Sequence, residues 1–299
     1  MKVLLGYLYL CAAWGTSWMV IKFSNAAFPP LMGASFRFWL AGLILLGVAT
    51  LSGSLQRLER NDLKLLLWTG LLTFNIGYGI VYLAEMHIDS GIVATLFATF
   101  PIFCAFLGHW LIPEEKLGIQ GFLGVFLGFI GVAVLSFPGL GGPSVEDVLW
   151  MLLVILSPFA CALNVVMIKR RGDALNPYTL NIIPMIMGGA GLMVLSFLSE
   201  DLSTLKITVP GLMALGHLTI VVTVIAFSLY YWLLKRMPLV LLSSTAYLSL
   251  ILAVIAGYAI LGEPVTLRRI MGIAFILVGV SLVQRDQRDV AVLEPVPGP

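Results

Sequence analysis

What this sequence lacks most is charge. Only 11% of its 299 residues are Asp, Glu, Lys or Arg, against about 25% in a soluble domain, so an ordinary water-facing surface cannot be built from it. Long polar stretches are missing too, which leaves no room for a soluble catalytic or nucleic-acid-binding domain. Cysteine is sparse: Cys11, Cys104 and Cys161 fall singly inside apolar runs and read as small buried residues, with no disulfide and no metal site expected. Neither a phosphate-binding P-loop nor an HExxH pair occurs, which excludes direct ATP drive and metalloprotease chemistry, and no cofactor is called for. The formal net charge of +2 says nothing about partners.

What fills the chain is apolar sequence. Hydrophobic residues make up 60% of it, gathered in ten stretches near 3–21, 32–52, 64–84, 91–112, 119–137, 148–168, 178–198, 211–234, 239–261 and 270–284. A hydrocarbon core about 30 Å thick takes roughly 20 residues of helix to cross. Ten such spans predict an all-α, multi-pass integral membrane protein embedded in a lipid bilayer. The first span reads as a retained helix and not a signal peptide, because of its length, Trp14 and Trp18, and the second span that follows at once. Lys and Arg set the orientation: with the N-terminus inside, twelve fall on the cytoplasmic side and four, Lys22, Lys206, Arg268 and Arg269, on the outer side. Both termini are therefore expected in the cytoplasm of a bacterium, with the spans in its inner membrane.

The chain also repeats itself. At a shift of 147, Trp14 to Lys22 lines up with Cys161 to Lys169, and Pro30 falls on Pro177. At a shift of 148, Tyr82 falls on Tyr230, Glu115 on Glu263, Gly124 on Gly272 and Gly131 on Gly279. Two five-span units follow, 1–138 and 147–284, with 285–299 as a disordered cytoplasmic tail. Five is odd, so the second unit enters the membrane in the opposite sense to the first. Inverted repeats of this kind build a carrier whose central site opens to either face in turn.

The run Leu111 to Gly124, with Pro113-Glu114-Glu115-Lys116, closes on Gly128-Phe129-Ile130-Gly131-Val132; Leu261-Gly262-Glu263-Pro264, Gly272 and Gly279-Val280 are its second copy. These residues, with Trp14-Gly15 and Arg37-Phe38, resemble the EamA family of the drug/metabolite transporter superfamily over nearly the whole chain. The resemblance implies a ten-helix exporter of small metabolites, amino acids in its YddG-type members. Glu115 and Glu263 then cap or brace helix ends, and the glycines of the fifth and tenth spans allow those two helices to pack closely as a clamp.

No Asp or Glu lies inside any span, which argues against a buried acidic site for proton coupling and against attraction of organic cations. The related four-helix multidrug pumps carry a glutamate in their first helix, and the first span here has none. Polar and aromatic residues remain. Asn75, Tyr78, Tyr82 and Glu85 follow at i, i+3, i+7 and i+10 along one face of the third span, and Trp14, Trp18 and Lys22 step by four along the first. Thr95 and Thr99 share a face in the fourth span, with Ser243 and Tyr247 as counterparts in the ninth; Asn164 and Tyr230 stand in the sixth and eighth. Together these predict a substrate cavity with aromatic walls and a few hydrogen-bonding groups, although tyrosines and threonines also glue helices together.

Among ionisable groups, Arg37 reads either as a snorkelling anchor or as an anion contact, and His217 either as a packing residue or as a proton relay. Lys22 and Lys169 either snorkel or take turns at meeting a substrate carboxylate. Pro101, Pro158 and Pro184 are expected hinges. The function read from all this is a monomeric secondary transporter exporting small neutral or zwitterionic metabolites, amino acids foremost, by alternating access. A multidrug exporter and a lipid-linked substrate flippase are the alternatives. An intramembrane enzyme, which needs a metal cluster or a nucleophile with its base inside the spans, is not indicated.

Overall fold

The computed structural model describes residues 2–112, 117–136, 144–171, 174–237, 242–243 and 245–293. Among the described residues every regular element is helical and none is a strand. Lipid dictates this, since it offers no hydrogen bonds and each backbone N–H and C=O must be satisfied within its own helix. The helices are α1 (Lys2–Asn25), α2 (Pro30–Leu51), α3 (Arg60–Thr69), α4 (Gly79–Ala84), α5 (Ser90–Phe97), α6 (Phe100–Leu111), α7 (Ile119–Ser136) and α8 (Val145–Arg171), then α9 (Thr179–Ser199), α10 (Val209–Thr219), α11 (Ala226–Leu234), α12 (Thr245–Leu261) and α13 (Leu267–Leu293). Two π-helical segments, π1 (Gly70–Tyr78) and π2 (Ile220–Ile225), join α3 to α4 and α10 to α11.

Seven of the expected spans are helical stretches of 21 to 27 residues, long and apolar enough to cross a membrane; the fifth and ninth are shorter apolar helices, Ile119–Val134 and Leu248–Leu261, over the described residues. Leu, Ile, Val and Phe side chains cover the outside, among them Leu51, Phe126, Leu198 and Leu267. So large an exposed apolar surface suits lipid, not water.

Helices of the first half pack mainly on helices of the second. The α2 helix lies along α9, α7 along α13, α1 along α12, and α6 along α8; π1 meets α8 and α9, while α1 meets α10 and α11 and α2 meets α10 and π2. Adding or subtracting the sequence shift of 147 or 148 turns each of these pairings into itself or into another of them. The α7–α13 crossing is the closest: a Cβ on Gly124 would overlap the Gly279 carbonyl, and one on Gly131 would lie 2.7 Å from the Gly272 carbonyl. Gly124 and Gly131 are the repeat mates of Gly272 and Gly279, so each glycine faces the mate of the other.

Hydrogen bonds between connecting segments fall into two sets, one at each end of the bundle. At one end, Lys206 N–H donates to the Ala27 carbonyl at 2.8 Å, and the Leu31 and Met32 N–H groups donate to the Glu200 carboxylate at 2.7 and 3.0 Å. At the other, Gln56 and Asn176 tie the α2–α3 turn to the α8–α9 turn, and Lys235 Nζ donates to the Leu175 carbonyl at 2.7 Å.

One expectation is corrected. The chain does not leave its helix at Arg285: α13 runs to Leu293, with Asp286 buried and accepting the Gly118 N–H at 2.6 Å. No Gly or Pro interrupts 285–293, and a buried carboxylate anchors its start. Residues 294–299 lie outside the described residues. The fourth span is broken beside Pro101, where the sequence predicts a kink or hinge. It stops at Phe97 and restarts at Phe100, because Pro101 lacks an N–H for the Phe97 carbonyl and its ring crowds that same residue. Pro158 and Pro184, by contrast, lie inside the unbroken helices α8 and α9.

Candidate functional site

A cavity with about 880 Å³ of empty space, its mouth included, lies between α1, π1, α5, α6, α8, α11 and α12. Eight of its twenty lining residues are aromatic. Trp14 packs against Phe227 and Tyr230 with ring centroids 5.8 and 5.3 Å apart, Trp18 against Phe97 at 5.5 Å, and Tyr78 against Phe227 at 6.0 Å. Ser17, Thr73, Asn164, Thr245 and Ser249 add hydroxyls and one amide, and no charged side chain lines the cavity among the described residues.

Three polar atoms on these walls are buried without a hydrogen-bond partner: Trp14 Nε1, Asn164 Oδ1 and Tyr230 Oη. The Asn164 amide is held by its other end, since Nδ2 donates to Thr73 Oγ1 at 2.8 Å. Buried polar groups are normally satisfied, so two donors and one acceptor brought to one aromatic chamber make it the candidate ligand site.

Five of the sequence-predicted residues meet here: Trp14, Trp18, Tyr78, Asn164 and Tyr230. The rest of the expected set is placed elsewhere. Asn75 turns away, its Oδ1 against Gly191 of α9 and its Nδ2 donating to the Gly70 carbonyl. The cause is π1, whose wider turn breaks the i, i+3, i+7 register and presents Thr73 to the cavity instead. Tyr82 is buried behind the wall, its hydroxyl accepting from Arg37 Nη1 at 3.3 Å. The Thr95 and Thr99 hydroxyls donate to nearby backbone carbonyls, Gly91 and Leu96, at 2.6 Å each, the common alternative for a hydroxyl in an apolar environment. Ser243 is buried away from the cavity, and the Tyr247 side chain lies outside the described residues. Lys169 sits in the last turn of α8, and His217 is half-buried on α10; neither lines the chamber.

Arg37 does not snorkel. It is 0% exposed, with Nε donating to Thr223 Oγ1 at 2.7 Å and the guanidinium 5.0 Å from the ring centres of both Phe38 and Tyr78. Aromatic faces and hydroxyls from α2, π1, π2 and α4 replace the water it would otherwise seek. It stands one layer behind the cavity, reaching it through Tyr78.

A buried acidic group exists after all. Glu85, one residue past the end of α4, is 5% exposed, and neither of its carboxyl oxygens has a hydrogen-bond partner among the described residues. Glu85 stands one residue beyond the third span, 64–84, so the spans alone did not show it; α4 packs there against α2 and α8.

Lys22 also finds a definite role, donating to Glu263 at 3.1 Å. That carboxylate caps α5 as well, accepting from the Ser90 N–H and hydroxyl at 3.0 and 2.6 Å and from the Gly91 N–H at 3.0 Å. Burial works to raise the Glu263 carboxyl, but these donors and Lys22 outweigh it and hold the group below the usual carboxylate range. Capping, the role expected of Glu263, is what it does; Glu115 lies outside the described residues. A second ion pair, Arg269 with Asp89, closes the same end.

Comparison with known proteins agrees with this architecture. The signature of the EamA-like transporter family matches residues 1–137 and 148–285. The chain is 26% identical over 284 residues to the Bacillus subtilis uncharacterized transporter YvbV, covering 94% of this chain and 90% of that one. It is 29% identical over 273 residues to the Escherichia coli uncharacterized inner membrane transporter YedA, covering 90% and 86%. An uncharacterized transporter of Archaeoglobus fulgidus is 25% identical over 274 residues, covering 92% and 95%. A solved crystal structure shares the fold with a TM-score of 0.68 at 18% identity, covering 96% of this chain and 99% of its own.

Proposed function

The chain belongs to the EamA-like transporter family, and from that premise we propose that it is a secondary carrier of small neutral or zwitterionic metabolites, amino acids foremost, exporting them by alternating access. The observation that carries this is the set of unpartnered polar atoms in a chamber with no charged side chain on its walls among the described residues. Trp14 Nε1–H and Tyr230 O–H suit a carboxylate, and Asn164 Oδ1 suits an ammonium group. The aromatic walls suit an apolar body between them. A solute of net charge would meet no counter-ion on those walls and would bear the full cost of leaving water. A zwitterion brings its own.

Ten spans in two inverted repeats are part of the same reading. Its supports are the helix pairings that map onto one another under the repeat shift, the reciprocal glycines, and the twofold family match. We place the protein in a bacterial inner membrane, both ends cytoplasmic, as one self-sufficient chain. The E. coli relative bears the name of an inner membrane transporter.

Reconstitution tests it. Proteoliposomes holding the purified protein should take up some members of a panel of labelled amino acids and neutral metabolites, and Asn164→Ala should weaken that uptake. Movement of lipophilic cations with no amino acid carried, or loss of nothing in the Asn164 variant, would overturn the substrate assignment.

A further inference from the structure

The end of the bundle that holds Lys22, Glu263 and Glu85 contains more titratable chemistry than a static cap requires. Glu263 is fully engaged, with Lys22, Ser90 and Gly91 all donating to it. Glu85 is buried with both oxygens unpartnered, and yet cations stand around it. Lys22 of α1 and Arg37 of α2 both act on it electrostatically, as does Glu263 from the turn between α12 and α13. Tyr82, one turn back on its own helix, faces it too. On α8 the nearest acids, Glu146 and Asp147, are engaged elsewhere: Glu146 lies 3.6 Å from His87 and Asp147 accepts the Ser144 N–H.

An ionised carboxylate so buried, with no donor, is costly. Arg37 is held by Thr223 and Tyr82, whereas Lys22 keeps a quarter of its side chain exposed and is the cation free to swing. Two carboxylates therefore stand within the influence of one mobile ammonium. The ammonium is on Glu263.

We propose that Glu85 is a proton-binding site whose occupancy decides which carboxylate holds Lys22, and hence whether this end of the transporter is closed. With a proton on Glu85, the group is neutral and Lys22 stays on Glu263, joining α1 to the α12–α13 turn and α5. When the proton leaves to the outer aqueous phase, the Glu85 carboxylate attracts Lys22, the Lys22–Glu263 tie is released, and the outer end opens. The coupled ligand is a single proton, taken up from outside as the outer end shuts. The inference rests on the alternating-access reading above only for its use in transport; the site itself does not depend on the solute.

The test uses the full chain in lipid nanodiscs, titrated from mildly acidic to mildly alkaline pH. Infrared difference spectra should show the C=O band of a protonated carboxyl that disappears on alkalinisation and is missing in Glu85→Gln. In a background with the three native cysteines changed to alanine, Ala94→Cys on the cavity wall reports outer opening through its reaction with a membrane-impermeant maleimide added from outside to proteoliposomes. Labelling should rise roughly tenfold with pH, a shift of about 1.4 kcal/mol in the closed–open balance, and should stay low at every pH once Glu85→Gln is added. Lys22→Gln, useful if the Glu85 variant fails to fold, should label fast at every pH while keeping the infrared band. A titrating band that survives Glu85→Gln, or a pH-dependent labelling rate that survives either substitution, would overturn the proposal. Should band and labelling behave as expected while no solute in the panel is carried, the proton site would stand and the transport assignment would fall.

Discussion

Asn164 is the residue on which the chamber's chemistry turns, because one end of its amide is fixed to Thr73 and the other is free. Losing a hydrogen bond to a charged group costs about 1.5–3 kcal/mol, so Asn164→Ala should raise KM for a zwitterionic substrate by roughly tenfold or more, with kcat little changed; saturation kinetics in proteoliposomes decide it. Tyr230→Phe removes one donor and keeps the ring, and should show a smaller effect in the same direction. Residues of this kind were legible in the sequence: Trp14 and Trp18 step by four, Tyr78 and Tyr230 are polar aromatics inside apolar spans, and Asn164 is an amide in one. What escaped were Asn75, whose register depends on a π segment that no periodicity announces, and Glu85, whose burial is decided by neighbours far along the chain.

At the scale of elements, the two π segments deserve a common cause. In π1 the Asn75 side chain donates to the carbonyl five residues back, Gly70; in π2 the Thr223 hydroxyl donates to the carbonyl five residues back, Leu218, at 2.7 Å. Asn75 and Thr223 are 148 apart, as are Gly70 and Leu218, so one local device occurs twice. Thr223 also receives Arg37, tying π2 to α2. Thr223→Val should thus leave a buried guanidinium nitrogen unsatisfied and destabilise the fold by about 1–3 kcal/mol, lowering the unfolding temperature in detergent, whereas Thr223→Ser should recover most of it. Equal melting of the two variants would show that the hydroxyl contributes nothing there. The spans themselves could be read from apolar length alone; the break before Pro101 could be read from one residue, and the π segments could not.

At the scale of the whole molecule, two ion pairs and a helix cap gather α1, α5 and the α12–α13 turn at one end. The Glu263 carboxyl is held below its usual range in the folded protein, so its contribution to stability is present above the range where an unfolded-chain glutamate titrates and is lost as pH falls through the lower, folded value. Melting of the wild type and of Glu263→Gln should differ most near neutral pH and converge in strong acid; a gap that stays constant with pH would mean that the carboxylate's charge plays no part. The packing of first-half helices on second-half helices was foreshadowed by the 147- and 148-residue shifts, but which helix meets which is a matter of three-dimensional fit that linear spacing does not carry.

The reciprocal glycines of α7 and α13 have a consequence for how the protein is made. Each half presents a groove that only the other half fills, so covalent continuity between them is a convenience and not a requirement. A gene cut between Ser136 and Val145 and expressed as two chains should yield halves that find each other in the membrane and purify together through a tag on one alone. On the proposed inverted topology the second half inserts with its leading end outside, a choice left to Lys169, Arg170 and Arg171 at the far end of its first helix. Replacing those three with glutamine should abolish co-purification of the split protein while sparing the intact chain, whose first half has already fixed the path of the second. Gly124→Leu, which fills the groove, should keep the halves apart whatever their orientation.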